Sequence, residues 1–363
     1  MRALPLLTLT LSIGCGRATG CAVPRSNPQP EFILKGHEAG LTGGKLDSRG
    51  GVVVTYASDG AAQRWSLETG ERLGPPVLLL PFAESVDIST QGEVAVLGED
   101  DAVVLWKPTG GPNSEVVASD ATTASFADGP PWLLVGGRDG AVRIWSVNEG
   151  ALLNELDGHE NEVWTVCSDA DGKTIAAAGN HESGSLWDLQ TGSRKSLEGH
   201  SKLIMDIALS PDGSRALTVS WDETAILWDA HTGDAIKTLV GHSGPLWTGK
   251  ISPDGSKAIT AGDDGSIRIW NTTNGDLVSK TINAHDNTID IIEFSPDGSL
   301  FVTGGWDHVA RTWKLSTGES LATLGIHSKR ITDVSFDESG RYILTTSIDK
   351  TAAVWTMANA GPP

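Results

Sequence analysis

The sequence predicts an all-β fold: an eight-bladed propeller of four-stranded antiparallel blades, with an N-terminal strand completing the C-terminal blade. Three observations carry that reading. Tryptophans recur at 65, 106, 145, 187, 228, 270, 313 and 355, with gaps of 41, 39, 42, 41, 42, 43 and 42 residues. A unit of that length cannot bury a core alone and must stack on copies of itself. A short alternating run, such as Ser266–Trp270 or Ala141–Trp145, precedes the tryptophan, which is the period of a half-buried strand. Turn signals then divide each unit at regular places.

Within a unit the elements follow in order. Ser-Pro-Asp-Gly at 210–213, 252–255 and 295–298 marks a tight turn, and Thr-Gly at 69–70, 191–192, 232–233 and 317–318 marks another after the tryptophan. Four strands per unit, one blade, result. Glu31–Gly36 matches the outer strand that precedes a histidine elsewhere, as in Asp234–Gly241, whereas the chain stops soon after Trp355. The first strand therefore completes the last blade and leaves no free edge. Seven blades, the alternative, requires one unit to sit outside the ring.

Six units carry a histidine 28 residues before the tryptophan: His37, His159, His200, His242, His285 and His327. Five of these place a threonine 18 residues after it (Thr55, Thr218, Thr260, Thr303, Thr345) and an aspartate 22 after it (Asp59, Asp222, Asp264, Asp307, Asp349). At these residues the chain, over roughly 31–357, resembles the WD-repeat (Trp-Asp repeat) β-propeller family. The resemblance implies that each set, His37/Thr55/Asp59/Trp65, His200/Thr218/Asp222/Trp228, His242/Thr260/Asp264/Trp270, His285/Thr303/Asp307/Trp313 and His327/Thr345/Asp349/Trp355, forms a hydrogen-bonded cluster that ties its blade together. The chemistry suits the role, because the indole only donates, the carboxylate accepts, and imidazole and hydroxyl do both. The second, third and fourth units depart from the pattern, with Leu78 and Val117 at the histidine position, Val96, Val135 and Ala177 at the threonine position and His181 at the aspartate position. Apolar packing is expected to carry those blades, making them the less rigid sector.

A net charge of −19 argues against nucleic acid, whose binders present a basic face to phosphates. Residues 1–14 read as a signal peptide: Arg2, an apolar stretch over 3–13, then Ser12-Ile13-Gly14-Cys15. That ending resembles a bacterial lipoprotein processing site, which implies lipidation of Cys15. The apolar run is too short to span a membrane. Residues 15–30 read as a flexible tether and 358–363 as a C-terminal tail. The expected protein is an extracytoplasmic, membrane-anchored lipoprotein; a secreted or periplasmic form without lipid is the alternative. Cys167, in a first-strand run, is expected to be a small buried residue.

No metal-ligand spacing, nucleophile motif or phosphate-binding loop is present, and no cofactor is expected. Eight of the thirteen tryptophans belong to the repeat, leaving Trp132, Trp164, Trp221, Trp247 and Trp306. The resemblance implies that residues five after the histidine, and the residue just before the aspartate, line one end of the ring, where partners bind. Trp164, Met205 and Trp247 hold the first place and Trp221 and Trp306 the second. Arg138, Glu162, Asp263, Asp290 and Arg330 stand at equivalent places and are expected to rim the patch. Trp132 is assigned to the core. Plugging of the channel mouth by these aromatics is the structural alternative. The functional reading is a non-catalytic scaffold binding a protein or peptide through this Trp/Met-rich end. The competing function is a carbohydrate-binding or hydrolytic propeller stacking sugars on the same rings. Hydrolysis would need two facing carboxylates, for which Glu162, Asp263 and Asp290 are the candidates.

Overall fold

The computed structural model describes residues 28–47, 51–79, 83–89, 93–98, 101–107, 114–127, 129–159, 161–281 and 283–357. The expected signal peptide 1–14, Cys15, the tether up to residue 27, Asp100 of the second unit and the tail 358–363 lie outside the described residues.

Among the described residues, strands form eight four-stranded antiparallel sheets, and in seven of them the order along the sheet is the order along the chain. The eight innermost strands, numbered here by blade, are Leu41–Asp47, Ala83–Ile88, Ala121–Phe126, Val163–Ser168, Ile204–Leu209, Leu246–Ile251, Ile289–Phe294 and Ile331–Phe336. Blade 8 is the exception to chain order. Its outer strand is Phe32–Lys35, which pairs with Thr351–Thr356 in the register Phe32↔Val354 through Lys35↔Thr351. The ring is therefore eight-bladed and closed by the N-terminal strand.

The apolar core is divided rather than central. One buried cluster lies at every seam between neighbouring blades. Second strands are covered on both faces, as in Leu300–Gly305, which is buried throughout, whereas the outer strand Ala151–Leu156 is mostly exposed. This gradient follows from stacking, since inner strands are sandwiched by neighbours and outer ones face water. Each repeat tryptophan joins the seam toward the preceding blade: Trp228 packs with Ala176, Ala178 and Leu186 of blade 4, and Trp355 with Val302 and Leu324 of blade 7. Trp132 packs against the seam of blades 3 and 4, in keeping with its assignment to the core.

Cys167 departs from expectation. It is half-buried, packed against the seam of blades 4 and 5 with its thiol directed to the Ile207 carbonyl, and it also lines the channel wall.

Ring closure rests on Leu34, which is 1% exposed in the seam of blades 8 and 1, whereas the adjacent Ile33 is 40% exposed. Leu34→Ala is expected to cost about 2–5 kcal/mol in urea unfolding, while Ile33→Ala stays within about 0.5 kcal/mol. Equal effects at the two positions would rule out closure through this strand.

Candidate functional site

Four of the expected clusters are complete. In blades 5–8 the histidine Nδ1 meets the aspartate at 2.9–3.2 Å (His200–Asp222, His242–Asp264, His285–Asp307, His327–Asp349). The histidine Nε2 meets the threonine hydroxyl at 2.7–2.8 Å, and the tryptophan Nε1 donates to the same hydroxyl at 2.8–3.0 Å. One proton arrangement satisfies all three bonds: indole to hydroxyl, hydroxyl to Nε2, Nδ1–H to carboxylate. Burial holds these histidines below the ordinary imidazole range despite the neighbouring carboxylate, so the rings are neutral. Burial pushes the Asp264 and Asp307 carboxyls up, but hydrogen bonds from His242 and Ser266, and from His285 and Arg311, outweigh it and hold both below the usual range.

Blade 1 corrects the fifth cluster. His37 bonds Thr55 at 2.7 Å and Trp65 bonds Thr55 at 2.8 Å, but Asp59 is exposed and, among the described residues, accepts only the Ala61 amide. In blades 5, 6 and 8 the residue two after the aspartate is Thr224, Ser266 or Thr351, whose hydroxyl donates to it; in blade 7 Arg311 donates to Asp307 instead. Ala61 offers no hydroxyl, and Gln63, at the place of Arg311, turns to the Gly36 carbonyl instead. Nothing therefore draws Asp59 inward. The His37 Nδ1 atom is buried without a partner among the described residues, and burial lowers the ring's pKa to about 4. Blade 4 substitutes differently: with Ala177 at the threonine place, Trp187 donates to the Asp157 carbonyl at 3.1 Å.

The expected interaction surface has a backbone cause. In every blade the pairing of the first and second strands slips by one residue, bulging out Thr42, Glu84, Thr122, Trp164, Met205, Trp247, Asp290 and Thr332. A bulge re-aims a side chain out of the sheet, and in blades 1 and 3–8 it presents one residue at the same end of the ring. The residue before the aspartate is held beside it by its backbone amide. Trp221 donates to Leu203 O, Asp263 to Pro245 O and Trp306 to Thr288 O, at 2.9–3.1 Å. A Cβ on Gly179, Gly262 or Gly305 would stand 2.1–2.2 Å from the opposing carbonyl, so that approach needs glycine in blades 4, 6 and 7.

Two arcs result. Through blades 2–4 the rim is ionic: Arg138 bonds Asp101 at 2.7 Å and Glu162 at 3.0 Å. Through blades 5–8 it is aromatic and acidic. Trp221 meets Trp247 edge to face, centroids 5.8 Å apart, and Trp247 Nε1 donates to Asp263 at 2.7 Å. Trp306 Nε1 donates to Asp290 at 3.1 Å, and Arg330 both pairs with Asp290 and lies 4.7 Å over the Trp306 ring. Burial pushes the Asp290 carboxyl up, against the pull of Arg330. Trp164 and Met205 are half-buried at the bulges of blades 4 and 5, and no ring contact joins Trp164 to the other tryptophans among the described residues. Thr288 and Asp101 escaped the sequence reading. Thr288 stands three after its histidine, the place of Arg330 and Glu162, which was the available signal. Of the three carboxylates considered for hydrolysis, Glu162 and Asp290 are each paired with an arginine.

At the opposite end the channel opens into a cavity of about 820 Å³ lined by Phe126, Phe294, Phe336, Cys167 and Arg64. Deeper in, beside Lys45, Asp87 and Glu293, Asp333 accepts the Gly44 amide of blade 1 at 3.2 Å. Burial raises its pKa to about 7, with Glu293 and Asp87 adding to the shift and the Gly44 amide and Lys45 opposing it.

The family model described as "WD domain, G-beta repeat" matches residues 112–146, 150–188, 192–229, 233–271, 277–314 and 318–356, more than half of the chain. The chain is similar to the probable E3 ubiquitin ligase complex SCF subunit sconB of Penicillium rubens, 28% identical over 38% of this chain and 24% of that protein. It is 24% identical to a subunit of chromatin assembly factor 1 from Gallus gallus, over 34% of this chain and 27% of that one. With eukaryotic translation initiation factor 3 subunit I of Candida albicans it shares 28% identity over 44% of this chain and 51% of the other. The chain thus spans about half or less of the length of these relatives. The crystal structure of the computationally designed Ika8 protein superimposes with a TM-score of 0.78 at 23% identity, covering 90% of this chain and 99% of that one, a likeness of fold alone.

The Asp333 shift has a definite sign. A carboxyl raised in the folded state stabilises fully below pH 3.8, and that contribution is lost as pH rises through about 7. Asp333→Asn is therefore expected to gain on the wild type between pH 5 and pH 8, by at most about 1.4 kcal/mol per unit. Urea unfolding at both pH values checks it; a difference that does not grow with pH contradicts the raised pKa.

Proposed function

This chain belongs to the WD-repeat family, and we propose that it is a non-catalytic interaction scaffold that binds a protein or peptide on the bulge-bearing end of its ring. The observation that carries the reading is where the surplus tryptophans stand. Trp164, Trp221, Trp247 and Trp306 all occupy the two positions per blade that the bulge and the following turn bring to one end. None belongs to a seam cluster, and Trp306 is 49% exposed, whereas the repeat tryptophans Trp228, Trp313 and Trp355 are 0–1% exposed. Exposed indole is costly in water, and tryptophan and arginine are the residues most enriched at binding hot spots. Met205 adds an adaptable apolar contact. Arg138, Glu162, Asp263, Asp290 and Arg330 supply a charged rim that selects among partners. The similar proteins are named as subunits of larger assemblies, which supports a scaffold role. We further propose, from the residues around it, that Cys15 carries a lipid that holds the ring outside the cytoplasmic membrane.

Trp221→Ala combined with Trp247→Ala is expected to leave the circular dichroism spectrum and melting cooperativity intact while abolishing partner capture, read by affinity purification and mass spectrometry against the wild type. Loss of folding would assign the pair to packing, and unchanged capture would move the interface elsewhere. For the anchor, metabolic palmitate labelling is expected in the wild type and absent in Cys15→Ser; label retained in the variant, or absent from both, refutes lipidation at this residue.

A further inference from the structure

The charged residues at this end of the ring are not treated alike. Arg138 pairs with Glu162 and Arg330 with Asp290, whereas Asp263 has no lysine, arginine or histidine partner among the described residues. Its carboxylate is exposed but not loose. Oδ1 accepts from Trp247 Nε1 at 2.7 Å and from the Thr288 hydroxyl at 2.9 Å. Neutral donors orient the group and leave its charge uncompensated.

The neighbouring seam shows what such a corner accommodates. In blade 7 the bulge residue Asp290 and the turn residue Trp306, 16 positions apart, share an indole-to-carboxylate bond, and Arg330 of blade 8 completes it by pairing with the acid and lying over the ring. Blade 6 has the same bond over the same separation with the partners exchanged: Trp247 at the bulge, Asp263 at the turn. At the place of Arg330, three residues after the histidine, blade 7 presents Thr288, which has no charge. Blade 6 thus repeats the acid and the ring without the cation. A second indole, Trp221, stands against Trp247, and its own Nε1 is buried with no partner among the described residues.

We propose that Trp221, Trp247 and Asp263 receive a basic side chain, lysine or arginine, of the bound protein or peptide. The assignment rests on the docking end proposed above and names the chemistry of its partner. A cation there gains the negative face of an indole and a pre-oriented carboxylate together, the combination that Arg330 supplies internally one seam away.

The test uses the full chain and small probes: N-acetyl-arginine amide and N-acetyl-lysine amide, with N-acetyl-citrulline amide and N-acetyl-leucine amide as neutral controls. Binding is followed by the indole ¹H–¹⁵N resonances of Trp221 and Trp247, assigned through Trp→Phe variants. The basic probes are expected to move both resonances, and the controls neither. Asp263→Asn keeps an acceptor for Trp247 and Thr288, so the site stays built, and it is expected to weaken binding by about tenfold or more. Thr288→Arg should install the cation from within and block the probes even if Asp263→Asn fails to fold. Equal shifts with citrulline or leucine would overturn the cation assignment while leaving the docking end standing. So would unmoved resonances with every probe, the docking end then being judged by capture with the Trp221/Trp247 double variant.

Discussion

No blade of this protein can cover its own faces. Each four-stranded sheet has an apolar surface on both sides, and all the apolar clusters lie between blades. The ring is stable only because every seam is filled, including the one where Leu34, Leu344 and Val354 meet Leu41 and Trp65. The repeat tryptophan links the two levels of organisation. In blades 1 and 5–8 its indole nitrogen is bonded inside its own blade, to Thr218 in the case of Trp228, while its ring fills the seam with the blade before. A change at that residue therefore disturbs a blade and its docking together, and coupled units of this kind behave as a nearest-neighbour chain.

Polar support is unevenly distributed around the ring. Blades 5–8 carry closed chains from indole to carboxylate, each member satisfied, and such networks rigidify what they join. Blade 1 has the inner half of the chain, blade 4 diverts its tryptophan to a main-chain carbonyl, and blade 3 leaves the Trp145 Nε1 atom without a partner among the described residues. The tryptophan-bearing rim sits largely on the fully bonded side. Rigid backing suits recognition, because side chains already held in position lose less entropy on binding.

Much of this was legible in the chain because the period is long and repeated eight times. The blade number and the closing strand follow from spacing that no single unit could establish, whereas the His–Thr–Trp bonds were implied by the resemblance to WD-repeat proteins at those spacings. Asp59 was misjudged for a local reason: four residues define the cluster, but the aspartate is drawn inward by a hydroxyl or an arginine two or four places on, and Ala61 and Gln63 supply neither in the form required. The candidate rim positions came from the resemblance to WD-repeat proteins, carried over as offsets within a unit. Partnerships were not legible. Whether Trp221 reaches Trp247, or Arg330 covers Trp306, depends on the angle between adjacent blades, which no spacing within one unit encodes. The channel carboxylate Asp333 was missed likewise, because its surroundings come from blades 1, 2 and 7.

The one-residue slip in every inner strand has a consequence for how this molecule can change. A residue displaced from the pleat stands outside the ladder register and outside the apolar seam clusters, so strand pairing does not fix its identity. Threonine, tryptophan, methionine and aspartate all occupy that place here on the same backbone. The ring is in effect a dial of eight sockets, each of which accepts a new chemical letter without the others being reset. What the surface reads can be rewritten one blade at a time while the scaffold beneath remains the same.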